Sequence, residues 1–177
     1  MRNFLNVAHE GLLIILSTVA LVLGIVYAQQ LARAPLYSNT PPRPSRGSLI
    51  LTYGLLPVLT LFESMVAICL YFTVKASAWY RLILASLLAV GWLIVVVIWG
   101  HCHSNAKHDA DNPWYDVCYQ TKIPIQWATG YPTGVSKGVG SALVAVGALI
   151  LIWYCAIVSI NAVAAHRNRR KGSPRDP

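Results

Sequence analysis

The sequence predicts an all-α integral membrane protein, a four-helix bundle with one larger extracytoplasmic loop. Three observations predict it. Hydrophobic residues make up 56% of the 177 residues and charged residues only 11%, whereas soluble domains carry about 25% charge. The apolar residues gather into four long runs, which is the transmembrane pattern. Four helices of roughly 20 residues use about half the chain. What remains is loops and a tail, with no room for a separate soluble catalytic domain. Residues 1–165 are expected to form the membrane domain and 166–177 a basic, disordered cytoplasmic tail.

The first run, 11–32, carries no charge; His9 and Glu10 precede it, and Arg33 and Pro35 stop it. At about 1.5 Å per residue it spans a hydrocarbon core of about 30 Å. A signal peptide is the competing reading, because Val26-Tyr27-Ala28 resembles a small-residue cleavage site. The length of the run, and a single early arginine offset by Glu10, favour a retained helix. Residues 33–47 follow as a linker. Pro35, Pro41, Pro42 and Pro44 exclude helix and central strand there and predict extended, polyproline-like chain. A stiff connector is the simpler reading; a ligand for a proline-binding domain is the alternative.

The second run, 48–74, contains Gly54, Pro57 and one charge, Glu63. Pro57 deletes a backbone hydrogen bond and should kink the helix, which membrane helices tolerate where neighbours satisfy the freed carbonyl. The link 75–81 carries Lys75, Arg81 and the interfacial pair Trp79-Tyr80. Its shortness predicts an antiparallel hairpin of the second and third helices. The third run, 82–100, is almost purely aliphatic apart from Trp92 and Trp99. Residues 101–136 form the only large loop, ending in Gly130-Tyr131-Pro132-Thr133-Gly134. The fourth helix is expected over 138–165.

Four crossings put both termini on one side. That side carries Arg2, Lys75, Arg81 and the tail cations Arg167, Arg169, Arg170, Lys171 and Arg175. The other carries Arg33, Arg43, Arg46, Lys107, Lys122 and Lys137. Eight against six is a modest positive-inside bias toward cytoplasmic termini, in the plasma membrane or secretory pathway. The net charge of +8 lies in loops and a juxtamembrane tail. Its expected partner is therefore anionic lipid, at Arg167, Arg169, Arg170 and Lys171, rather than nucleic acid.

Several groups of residues could carry chemistry. Of the four cysteines, Cys69 and Cys155 lie inside apolar runs and read as small buried hydrophobes. Cys102 and Cys118 share the large loop, where an oxidising compartment favours a disulfide. It would close about 16 residues and stabilise by roughly 3 kcal/mol in the chain-entropy model. No Cys-x-x-Cys is present to support a redox-active pair. His101, His103 and His108 with the two loop cysteines are zinc-type ligands, but their spacing lacks the usual chelate pattern, so no metal or cofactor is assigned.

Glu63 lies at membrane depth, where an ionised side chain costs about 3 kcal/mol on insertion scales. Ser17 and Thr18 of the first helix are the polar residues placed at its level. An interhelical hydrogen bond is the simpler reading of Glu63, and an ion or proton pathway the sharper one. Ala20, Gly24 and Ala28 recur every four residues, as do Gly134 and Gly138 ahead of Ser141 and Ala145. Small rows let membrane helices approach closely, within the bundle or against another chain.

This layout resembles the MARVEL-like four-helix membrane proteins over residues 9–166: termini on one side, a short 75–81 link, and an outer loop before the fourth helix. Claudins are less similar, because residues 33–47 are short and cysteine-free. Tetraspanins carry a Cys-Cys-Gly in the large loop, which this chain lacks. The resemblance implies membrane organisation, trafficking or junction-type apposition, with no catalytic residues to carry over. The expected function is a non-enzymatic scaffold or accessory subunit that binds lipid and other membrane proteins or itself. The rival expectation is a small transporter or channel subunit with Glu63 near the pathway.

Overall fold

A computed structural model describes residues 2–33, 46–73, 78–104 and 134–171. All the elements in these segments are helical: α1 (Arg2–Arg33), α2 (Arg46–Thr73), α3 (Ala78–Ser104) and α4 (Lys137–Lys171). Each contains a stretch long and apolar enough to cross a membrane: Val7–Arg33, Leu49–Leu70, Trp79–His101 and Lys137–Val163. By length and composition this is a four-span membrane protein.

The outer faces follow helical spacing. On α2 the exposed large residues include Leu51, Leu55, Val58, Phe62 and Met65, and on α3 Ile83, Leu87, Val90, Ile94 and Val97. Steps of three and four keep each series on one side of its helix. Such stripes would be an aggregation hazard in water; in a bilayer they are the surface that lipid covers. Cys69 and Cys155 also sit on exposed positions, which corrects the expectation that they are buried. A thiol is small and apolar enough to face lipid as readily as core.

The closest helix pairs are α1 with α2 and α3 with α4; α1 also packs on α4, and α2 touches α3 only sparsely. The short 75–81 link therefore does not produce the closest pair. Side-chain size explains the difference. Ala20, Gly24 and Ala28 are all buried. A Cβ built on Gly24 would collide with the backbone carbonyl of Tyr53. The small row thus sets the α1–α2 backbones nearly in contact.

Between α2 and α3 the spacers are large instead. Tyr53 stacks on Trp99 at 5.8 Å, and Trp92 meets Trp99 edge-on at 6.0 Å. The Trp92 indole N–H donates to Thr60 Oγ1 at 2.9 Å. Tyr27 of α1 adds an edge contact to Tyr53 at 5.2 Å. Gly147 of α4 gives these rings room: a Cβ there would stand 3.3 Å from Trp99 and 3.4 Å from Trp92. Pro57 lies within α2 and is fully buried.

The start of α4 is capped. Ser136 Oγ accepts from Val139 N–H at 3.4 Å, the N-cap pattern. Ser136 N–H in turn donates to Gln30 Oε1, near the end of α1, at 2.9 Å.

Candidate functional site: a polar cavity shared by four helices

Below the aromatic layer, toward the end of the bundle that holds the termini, the packing changes. A cavity of about 100 Å³ is lined by residues from every helix. His9, Glu10 and Leu13 come from α1, Glu63 and Ala67 from α2, and Arg81 and Ala85 from α3; α4 supplies Tyr154, Ile157, Ile160 and Asn161. The cause is local. At Ala67 and Ala85 the α2–α3 gap, held wide by Trp92 and Trp99, meets side chains too short to fill it.

Two hydrogen bonds fix parts of the wall. Tyr154 Oη donates to Glu63 Oε2 at 3.1 Å. Asn161 Nδ2 donates to the Ile157 carbonyl at 2.9 Å, within its own helix. His9 is held from behind by a tilted ring contact with Trp153 at 5.1 Å. Glu10 is only 9% exposed, and its Oε2 is buried with no hydrogen-bond partner. Glu10 lies within electrostatic reach of Glu63, and Arg81 within reach of both carboxylates. These are the only two glutamates in the chain, and both line one cavity.

The chain matches no family model, no curated protein and no solved structure. Its chemistry therefore has to be read from its own residues.

The other residues singled out from the sequence fall as follows. Ser17 is fully buried and its Oγ has no hydrogen-bond partner. Thr18 is exposed and turns back on its own helix, donating to the Ile14 carbonyl at 2.7 Å. Neither lines the cavity: the α1 residues that share it with Glu63 are His9, Glu10 and Leu13, nearer the N-terminus. Gly134 takes a left-handed φ of 84° in an exposed turn. Gly138 is exposed, and only Ser136 Oγ comes near it, at 3.7 Å from a built Cβ. The buried face of α4 runs instead through Leu143, Gly147, Ile150 and Tyr154.

Arg167, Arg169, Arg170 and Lys171 continue α4 as helix. Cys102 belongs to the end of α3, while Cys118 and the bulk of the large loop lie outside the described residues, and with them the expected disulfide. Among the described residues no three His, Cys, Asp or Glu side chains converge as metal ligands; His108 is not among those residues.

Sequence reasoning missed Glu10, His9 and Arg81 because it placed them just outside the helices. It missed Tyr154 because a tyrosine inside an apolar run reads as core. One signal was available: the chain spends its only two glutamates in or beside apolar runs.

Proposed function

We propose that this chain is a non-enzymatic multi-pass membrane protein, a scaffold or accessory subunit in membrane organisation or trafficking. The observation that carries the reading is the contrast along the bundle axis. The residues that line the polar cavity all lie toward one end of the described bundle. Tyr27, Tyr53, Trp92 and Trp99, all buried, fill the other half. A conduit needs polar groups or water along its whole length, whereas in the described part of the aromatic half bulky rings occupy the interior and the Trp92 indole N–H is tied to Thr60. The broad apolar exterior supports contact with lipid and with neighbouring apolar helices. The MARVEL-like layout supports the same class.

Orientation with cytoplasmic termini rests on the positive-inside bias, and anionic lipid at Arg167, Arg169, Arg170 and Lys171 on the juxtamembrane cluster. Mass-tagging Cys102 and Cys118 in intact cells, with Cys69 and Cys155 replaced by Ala, tests the orientation and the disulfide. Tagging only after an impermeant reductant is the expected result. Tagging without reduction, and only after permeabilisation, reverses the orientation and removes the disulfide.

The functional reading is tested by photo-crosslinking from Phe62 and Ile83, both on the exposed faces, together with proton and potassium flux in proteoliposomes. Discrete protein adducts and no flux above empty vesicles are expected. A flux that disappears in Glu63→Gln would overturn the reading in favour of a transport subunit.

A further inference from the structure

The cavity is unbalanced in charge and in hydrogen bonding. With both carboxylates ionised and His9 neutral, Glu10 and Glu63 outweigh Arg81 by one negative charge. Glu10 Oε2 is buried and makes no hydrogen bond; the one protein donor close to it is the neutral hydroxyl of Ser64, itself buried and unbonded, although buried carboxylate oxygens are nearly always satisfied. The wall therefore asks for one positive charge that also donates hydrogen bonds.

Three chemistries can be compared. A divalent metal fits poorly: no three ligating side chains converge among the described residues, and the Arg81 guanidinium lines the same space. A quaternary ammonium lacks N–H donors and could not satisfy Glu10 Oε2, and no tryptophan or phenylalanine face lines this cavity. A primary ammonium brings three donors and a single charge. The remaining wall, Leu13, Ala67, Ala85, Ile157 and Ile160, is apolar and suits an alkyl stem. Ile160 is itself exposed on the outer face, so the cavity wall reaches the bundle surface.

Depth agrees. Glu10 lies three residues inside the Val7–Arg33 span, Arg81 two inside Trp79–His101, Asn161 two from the end of Lys137–Val163, and Glu63 seven from the end of Leu49–Leu70. At about 1.5 Å per residue the site runs from near the headgroup boundary, where amphiphilic amines carry their charge, to about 10 Å inside the apolar span at Glu63.

We propose that this cavity binds a protonated primary amine, with its ammonium between Glu10 and Glu63 and its alkyl part along Leu13, Ile157 and Ile160. The amine is supplied either by a lipid headgroup or by a small water-borne amine; the recognition chemistry is the same.

The test uses the purified full-length chain in two arms. In the first, the protein is extracted from vesicles of equal phosphatidylethanolamine and phosphatidylcholine, and retained lipid is read by native mass spectrometry. In the second, thermal unfolding in phosphatidylcholine nanodiscs is followed with ethylammonium or tetramethylammonium chloride at equal concentration. A preference for the ethanolamine lipid of about tenfold, the weight of a charged hydrogen bond, establishes a lipid-borne amine. Stabilisation by ethylammonium and not tetramethylammonium, without a lipid preference, establishes a water-borne one. Equal retention with no differential stabilisation overturns the site.

Glu10→Gln and Glu63→Gln should each lower the selectivity about tenfold, and unchanged selectivity in either would overturn the placement. Should those variants not fold, Arg81→Gln decides. It removes the competing cation, so amine selectivity must rise; an unchanged or lower value in the folded variant refutes the proposal.

Discussion

The two halves of this bundle solve the packing problem in opposite ways. In the half containing Gly24 and Tyr53, helices are either nearly in backbone contact or held apart by stacked rings. In the half containing Glu10 and Glu63, the same helices are lined by short or polar residues, and the interior is left open. The first arrangement gains dispersion and ring contacts. The second gives some of that up and buries a carboxylate oxygen without a partner. Local stability surrendered in this way is common at functional sites.

The comparison predicts effects of different sign in the two halves. Trp92→Ala should be the most damaging, at about 3–5 kcal/mol, because it removes a fully buried ring and leaves a cavity. Unfolding in detergent titrations reads it directly, and a loss below 1 kcal/mol would mean that the aromatic layer does not hold the bundle. Gly24→Ala should cost about 1–3 kcal/mol by overpacking, since the obstructing atom is the Tyr53 carbonyl and not a mobile side chain. At Glu10, in the other half, the sign reverses. Glu10→Leu should stabilise by about 1 kcal/mol by filling space and removing an unpaired oxygen, and a destabilised variant would show that Glu10 is structural. Tyr154→Phe should be mildest, about 0.6 kcal/mol, the average for an interhelical side-chain bond in a membrane. The same titration checks it, and a cost above 2 kcal/mol would mean that the bond to Glu63 anchors α4.

The four spans were legible because length and apolar run are local properties: Gly11 to Ala32 needs no partner to declare itself. The Ala20, Gly24 and Ala28 row was visible for the same reason, although only the structure supplies Tyr53 as the group it admits. The cavity was not legible. It depends on which residues of different helices share a level, and helices extend beyond their apolar runs. α1 begins at Arg2, so Glu10 lies inside a helix where composition placed it outside. The short 75–81 link predicts an antiparallel hairpin of α2 and α3 but not their spacing, because link length limits only how far apart two helix ends lie. It does not set how far apart Trp92 and Trp99 hold the rest.

The bond from Ser136 N–H to Gln30 Oε1 joins residues 106 apart in sequence at one end of the bundle. Sliding α4 against α1 by a single turn, about 5.4 Å, would break it and leave the cap of α4 short of a partner. Gln30 therefore acts as a detent against piston motion.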